Sequence, residues 1–472
     1  MAMCSLILAL PLSIVALQAD FGVKDPGVRA GSVNAGESYT GLTGPQNDAF
    51  TDGFGRFTEA DSVSGSIPGE DGTGLGPRFN SNSCASCHAQ PAVGGSSPST
   101  ADYPFLGGNP QVTVATQDGA VNRVPFFITS DGPVREARFK FVVAPNGFLT
   151  RTPDGGVHDV YTIQGRSDAT NQAGVTGQPQ TCVLSQPDFN EMARLHNLSF
   201  RIPTPTFGTG LIENIPDQTI LDNMNANARA KQILGISGHP NRNGNDGTIT
   251  RFGWKAQNKS LEIFAGEAYN VEQGATNELF PSERPSPGES LPTSCLFNGT
   301  PEDKTNLGQS ALQTPSDAVG FALFMRFLDQ PKPSPTTPGG AASIANGKNL
   351  FTSVVQCARC HTPTLQTGAS SLSPALHYQN ANLYSDLLVH GMGTNLADGV
   401  SQGAAGPDEF RTAPLWGLGQ RIFFLHDGRT RDLLEVIQEH ASSGSEANQV
   451  ILTFRKLSPQ QKQDLLNFLR SL

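Results

Sequence analysis

Charge is sparse in this 472-residue chain and nowhere gathered. Asp, Glu, Lys and Arg together supply 16% of it, and no Lys/Arg-rich stretch offers the phosphate-neutralising face that nucleic-acid binding needs. Long apolar runs are also missing. Only residues 1–19 form a continuous apolar stretch, and its core at 5–17 is too short to span a bilayer. That length suits a secretory h-region, so 1–19 is expected to be a signal peptide, with no membrane span once it is removed. No G-x-S-x-G elbow, P-loop or Rossmann glycine fingerprint occurs, which removes the common hydrolase, nucleotide and dinucleotide chemistries. Tryptophan is limited to Trp254 and Trp416.

What is abundant is glycine and proline, 51 and 34 residues, beside a hydrophobic share of 37%. That balance favours short elements joined by ordered loops. The formal charge of −10 would tolerate a basic soluble redox partner.

Two five-residue motifs carry the chemistry: Cys84-Ala-Ser-Cys87-His88 and Cys357-Ala-Arg-Cys360-His361. Each is the attachment signature of a c-type haem. The two cysteines add across two vinyl groups of a porphyrin, and the following histidine ligates the iron. Two covalently bound haem c groups are therefore expected. Covalent haem attachment takes place outside the bacterial cytoplasm, so the protein is expected to be periplasmic or otherwise exported. Every Cys-x-x-Cys is committed to haem, which leaves no redox dithiol. Cys4 lies in the expected leader, and Cys182 and Cys295 remain as a predicted disulfide.

Residues 316–328 read as a helix that runs into Pro331-Lys-Pro-Ser-Pro335, where proline breaks the pattern. Residues 342–353 read as a helix delivering Cys357. A last helix is marked by Ser458 as N-cap, Pro459 at its first position and Gln461 closing a capping box. The expected fold is mainly α, with two cytochrome c-type haem domains. The first spans 20–335 and carries a large, partly β insertion around 100–180; the second spans 336–472. No internal repeat is read beyond the haem motifs.

In the C-terminal domain Leu433, Val436, Ile437 and His440 recur at helical spacing, which places His440 on the haem-facing side as a sixth ligand. Met392 is its rival, since thioether is the other common axial group. For the N-terminal haem, His158, His196 and His239 are weighed as distal ligands, with surface or structural roles favoured for each. Asn241, Asn243, Asn245 and Asp246 form an oxygen-rich loop, read either as a Ca2+ site or as an Asx-rich turn.

Several stretches resemble the bacterial di-haem cytochrome c peroxidase superfamily, and more closely its di-haem oxidoreductase branch, also labelled thiol oxidoreductases. They are Phe410-Arg-Thr-Ala-Pro-Leu-Trp-Gly-Leu-Gly419, Phe424-Leu-His-Asp-Gly-Arg429, residues 384–392, Arg251-Phe-Gly-Trp-Lys-Ala256 and Gly76-Pro-Arg-Phe-Asn80. The resemblance covers roughly 70–472. It implies a peroxidase-like enzyme that activates hydrogen peroxide or dioxygen at the N-terminal haem, with a small redox protein or a protein substrate as electron donor. In such peroxidases the residue fourteen positions after the His of His-Asp-Gly ligates the electron-transfer haem, commonly as methionine; counted from His426, that residue is His440. A histidine there lowers the potential relative to methionine.

Glu213, in Leu211-Ile-Glu-Asn-Ile-Pro216, resembles the distal-pocket glutamate and is expected to be the acid–base group. Trp254 and Trp416 sit in family motifs as relay candidates, and Arg251 and Arg411 as partners for haem propionates. An electron-transfer cytochrome without peroxide chemistry and a di-haem oxygenase are the alternative readings. The thiol oxidoreductase label is discounted for want of a dithiol.

Overall fold

The computed structural model describes residues 22–99, 108–169, 182, 184–285, 289–296, 301–305 and 315–472. The leader expected at 1–19 lies outside them, as does part of the 100–180 segment. No helix among the described residues is long and apolar enough to cross a membrane.

The architecture is mixed rather than mainly α, 34% helical with small sheets. Around each Cys-x-x-Cys-His motif the chain builds the same arrangement, in which an upstream helix packs on a downstream one. In the first, helix Gly44–Thr58 lies against helix Asp317–Phe327. The crossing is close because Gly53 has no side chain; a Cβ there would stand 2.3 Å from the Gly320 carbonyl oxygen. Phe57, Phe321 and Phe324 close the interface, each buried, and burial of one such ring stabilises by roughly 1.5–3 kcal/mol. In the second, helix Gly340–Asn349 crosses helix Pro459–Ser471 at Gly347, where a Cβ would meet the Asp464 carbonyl at 2.0 Å. Ser458 and Gln461 form the capping box as read from sequence, and Ser316 caps the helix that begins at Asp317.

The strands lie mostly between the first motif and residue 201. Glu136–Phe139 is the centre of a three-stranded antiparallel sheet, with Val157–His158 on one side and Leu198–Arg201 on the other. Glu136 stands opposite Arg201, so the period-two alternation sends Glu136, Arg138 and Arg201 to one face. That face walls the cavity at the first motif. The β segment is thus part of the N-terminal site, not a layer packed on its outside, and it extends past 180.

The two halves interleave across the boundary expected at 335/336. Leu365, Leu376, Leu383, Leu387, Leu388 and Trp416 join the apolar core of the first half. In the other direction, Asp25 accepts two guanidinium bonds from Arg470 at 2.7 Å and the Leu433 N–H at 2.8 Å.

Cys182 and Cys295 form a disulfide that closes a loop of 113 residues. Converting both to serine is expected to remove about 2–5 kcal/mol of unfolding free energy. A urea titration checks this, and an unchanged midpoint contradicts it.

Candidate functional site

Two cavities, one at each motif, share a wall. The first has a volume of about 400 Å³ and is bordered by Cys84, Cys87 and His88; the second, about 220 Å³, by Cys357, Cys360 and His361. The cysteines are free thiols rather than disulfides. Burial pushes the Cys87 and Cys357 thiols up to about 12, far from thiolate chemistry at neutral pH.

Each motif histidine has one ring nitrogen tied to the backbone. His88 Nδ1 donates to the Gly95 carbonyl at 3.0 Å, and His361 Nδ1 to the Tyr384 carbonyl at 3.0 Å. His440, which follows helix Leu433–Glu439, repeats the pattern with the Val436 carbonyl at 2.7 Å. Such a bond fixes the tautomer and leaves the Nε2 lone pair available to a metal. His361 and His440 line the same cavity, and burial, with His440 nearby, holds the His361 imidazole down to about 4. Met392 also lines this cavity, so the sequence brings both rival ligands to it.

The first cavity differs. Among the described residues that line it, His88 is the one imidazole. His158 lies behind the lining, paired with Asp154 at 3.0 Å and stacked on Phe139; His196 is exposed, and His239 pairs with Glu409. Met325, the thioether at its edge, belongs to the core with Phe321 and Phe324.

Glu213 is not brought to this cavity, which corrects the expectation for it. Arg326 takes its carboxylate at 2.7 Å and the Leu261 N–H donates to it at 2.9 Å. The carboxyl that the wall does offer is the half-buried Glu272, on a π-helical turn at Tyr269–Gln273 that extends helix Leu261–Ala268. It accepts from the Asn80 amide at 2.7 Å, and burial, with Glu136 adding, raises it to about 8. The sequence signal was available: Glu272 closes the apolar run Ile263, Phe264, Ala265, Ala268, Tyr269, Val271, the kind of setting credited to Glu213.

Buried arginines complete both cavities. Arg138 and Arg201 reach the first, each with a buried Nε that has no hydrogen-bond partner, and Arg421 does the same in the second. Arg411 lines the second cavity and donates Nε–H to the Gly253 carbonyl at 2.9 Å. Burial holds Arg201, Arg411 and Arg421 down to about 10. Arg138 and Arg201 also pair with Glu136 and Asp398, but the Nε donors left without acceptors suit an anionic occupant of each cavity. Arg251 plays no such part, because it pairs with Asp217 and donates to the Ile212 and Ile215 carbonyls.

Trp254 borders both cavities, with its indole N–H on the Ile202 carbonyl at 2.9 Å. Trp416 does not; it is buried in the core and closes over Gly208. The oxygen-rich loop does not converge on a point either. Asn241 is buried against the Lys255 and Gln402 carbonyls, Asn243 caps the Asn245 N–H, and Asp246 pairs with Lys259. Its geometry is that of an Asx-type turn, the second of the two readings. Beyond the haem motifs the chain also holds a short internal similarity, Pro205-Thr-Phe-Gly-Thr-Gly210 against Pro414-Leu-Trp-Gly-Leu-Gly419, which corrects the expectation of no further repeat.

Paired cysteines, a pinned histidine and unsatisfied arginines in each of two adjoining cavities define a two-centre redox protein, and they fit a haem with anionic propionates at each. Residues 158–472 match the family model described as "Di-haem oxidoreductase, putative peroxidase", and the chain belongs to that family, a family of di-haem redox enzymes. No curated protein sequence matches it. Among solved structures, the chain is similar to Kuenenia stuttgartiensis hydrazine synthase at 19% identity and a TM-score of 0.23, over 38% of this chain and 58% of that one. It is also similar to a MauG-like protein associated with microbial copper homeostasis, at 14% identity and a TM-score of 0.27, over 57% of this chain and 89% of that one. Likenesses this low say nothing of this chain's chemistry.

Proposed function

We propose that the protein is an exported, peroxidase-like oxidoreductase with two covalently bound haem c groups, which activates peroxide at the N-terminal site and feeds it electrons from the C-terminal one. The observation that carries this reading is the asymmetry of the two cavities. Of the four imidazoles that line the second, His361 and His440 are each pinned through Nδ1 to a backbone carbonyl, beside His390 and His426, whereas the first holds His88 alone.

When bound, the haems supply iron centres that exchange electrons with peroxide and with each other. Cys84 and Cys87 hold one haem through thioether bonds, and Cys357 and Cys360 the other. Arg138 and Arg201, and Arg411 and Arg421, are positioned to neutralise propionates. His440 is preferred to Met392 because its Nδ1–H is already anchored, so Nε2 is the nitrogen that faces the cavity. Glu272 moves a proton from the inner to the outer oxygen of peroxide. A carboxyl raised to about 8 suits both halves of that transfer near neutral pH. The other carboxylates of the lining are engaged: Glu136 with Arg138, Asp154 with His158 and Glu267 with Asn258. Trp254, which borders both sites, is the route for electrons between them. The Cys182–Cys295 disulfide supports an oxidising compartment.

The covalent part is tested by expression with a haem c maturation system. After denaturation, two haems are expected to stay with each chain, and one in the Cys84→Ala/Cys87→Ala variant. Haem that extracts freely into acidified organic solvent contradicts the proposal.

A further inference from the structure

Lys255 follows Trp254 in sequence but points away from both cavities. Its side chain is fully buried, and its ammonium donates to the Gly406 and Glu409 carbonyls at 2.8 and 2.7 Å. Asp398, also buried, stands 3.1 Å from it and shares its carboxylate with Arg201 at 2.7 Å. The ammonium also lies 4.1 Å from the centroid of the Phe410 ring. Phe410 stacks on His426 at 4.5 Å and 24°, and His426 meets Trp254 edge-on at 6.4 Å and 75°. Phe410 and His426 line the second cavity, while Trp254 lines both. A contiguous series of Lys255, Phe410, His426 and Trp254 therefore runs through the wall between the two centres.

We propose that Lys255 is a positioning residue for electron transfer across this wall, its buried charge keeping the oxidising equivalent off the aromatic groups and on the two haem centres. The proposal rests on the reading that Trp254 carries electrons between haems. Taking an electron from Trp254 or His426 leaves a cation beside the Lys255 ammonium, and with little water between them the repulsion is weakly screened. Asp398 is shared between Lys255 and Arg201 and so does not neutralise Lys255 alone; Asp408 also acts on Lys255, and Asp427 on His426, so the Lys255 charge is what offsets these carboxylates at the stack. Packing does not account for the charge, because an apolar side chain of this length fills such a space without the cost of burying an ion. The Lys255 charge favours the reduced form of the C-terminal haem in the same way.

The test uses mature holo-protein carrying Lys255→Met or Lys255→Arg. In a reductive titration without peroxide, Lys255→Met is expected to lower the ferrous-to-ferric ratio of the C-terminal haem by about tenfold at a fixed applied potential, with Lys255→Arg restoring the wild-type value. Asp398→Asn, which keeps Lys255 and removes its counter-charge, is expected to shift the ratio the other way. After one equivalent of peroxide, rapidly frozen Lys255→Met is expected to show an aromatic radical signal in EPR at several times the wild-type yield. Unchanged ratios in both Lys255→Met and Asp398→Asn overturn the proposal, as does a Lys255→Arg protein that behaves like Lys255→Met. If Lys255→Met does not fold, Asp398→Asn and Lys255→Arg decide it alone. A wild-type protein inert to peroxide refutes the peroxidase reading, while the titration still decides the role of Lys255.

Discussion

Glu272→Gln is expected to slow the reaction of the oxidised protein with peroxide by about 10²- to 10⁴-fold, the usual contribution of a positioned acid–base group. Both haems should stay attached, because Glu272 makes no hydrogen bond to either cysteine pair and glutamine keeps an oxygen for the Asn80 amide. The pH profile separates a chemical role from a structural one. Burial raises the Glu272 carboxyl to about 8, so most of it is protonated at neutral pH and the base form grows as pH rises. The wild-type rate constant should climb with pH and level off near 8, and that rise should vanish in Glu272→Gln. Stability follows the opposite sign. A carboxyl held neutral in the fold but ionised in the unfolded chain makes stability fall as pH rises from about 4.5 to about 8. Glu272→Gln should lose less stability over that window than wild type, measured as unfolding midpoints. Stopped-flow mixing with peroxide checks the rate; a variant at wild-type speed with the same pH profile removes Glu272 from the chemistry.

His440→Ala is expected to turn the C-terminal haem from six-coordinate to open. In the reduced protein, carbon monoxide should then bind at both centres instead of one. His361 and His440 share a cavity with Met392, with His426, and with His390, whose two ring nitrogens are taken by Glu446 and Asp386. The substitution thus also separates His440 from its rivals: if Met392 or His426 is the ligand, His440→Ala leaves both the spectrum and the stoichiometry unchanged, and Met392→Ala and His426→Ala then tell those two apart. His440→Met is expected to restore a six-coordinate haem at a higher potential, since thioether favours the ferrous form.

How much of this was legible in the sequence depends on the distance over which each residue acts. The Cys-x-x-Cys-His motifs, the capped terminal helix and the apolar face carrying His440 are local patterns, and the structure places those residues where the pattern implies. Glu213 and Glu272 show the limit. Both are lone carboxylates in apolar surroundings, and only the fold reveals that Arg326, 113 residues away, occupies the first while the second faces the cavity. Arg138 and Arg201 were invisible for the same reason. They reach the site because antiparallel pairing aligns Glu136 with Arg201 across more than sixty residues, which no window of sequence contains. Arg251 misled because it stands beside true site residues in its motif, yet its side chain turns back to Asp217.

The central claim, one open and one closed iron centre, is tested most directly by the EPR spectrum of the oxidised mature protein before and after one equivalent of peroxide. A high-spin ferric signal from the N-terminal haem that peroxide abolishes, beside a low-spin signal from the C-terminal haem, is the expected result. Two low-spin signals indifferent to peroxide, in both the as-isolated and the half-reduced protein, contradict it and make the protein an electron carrier.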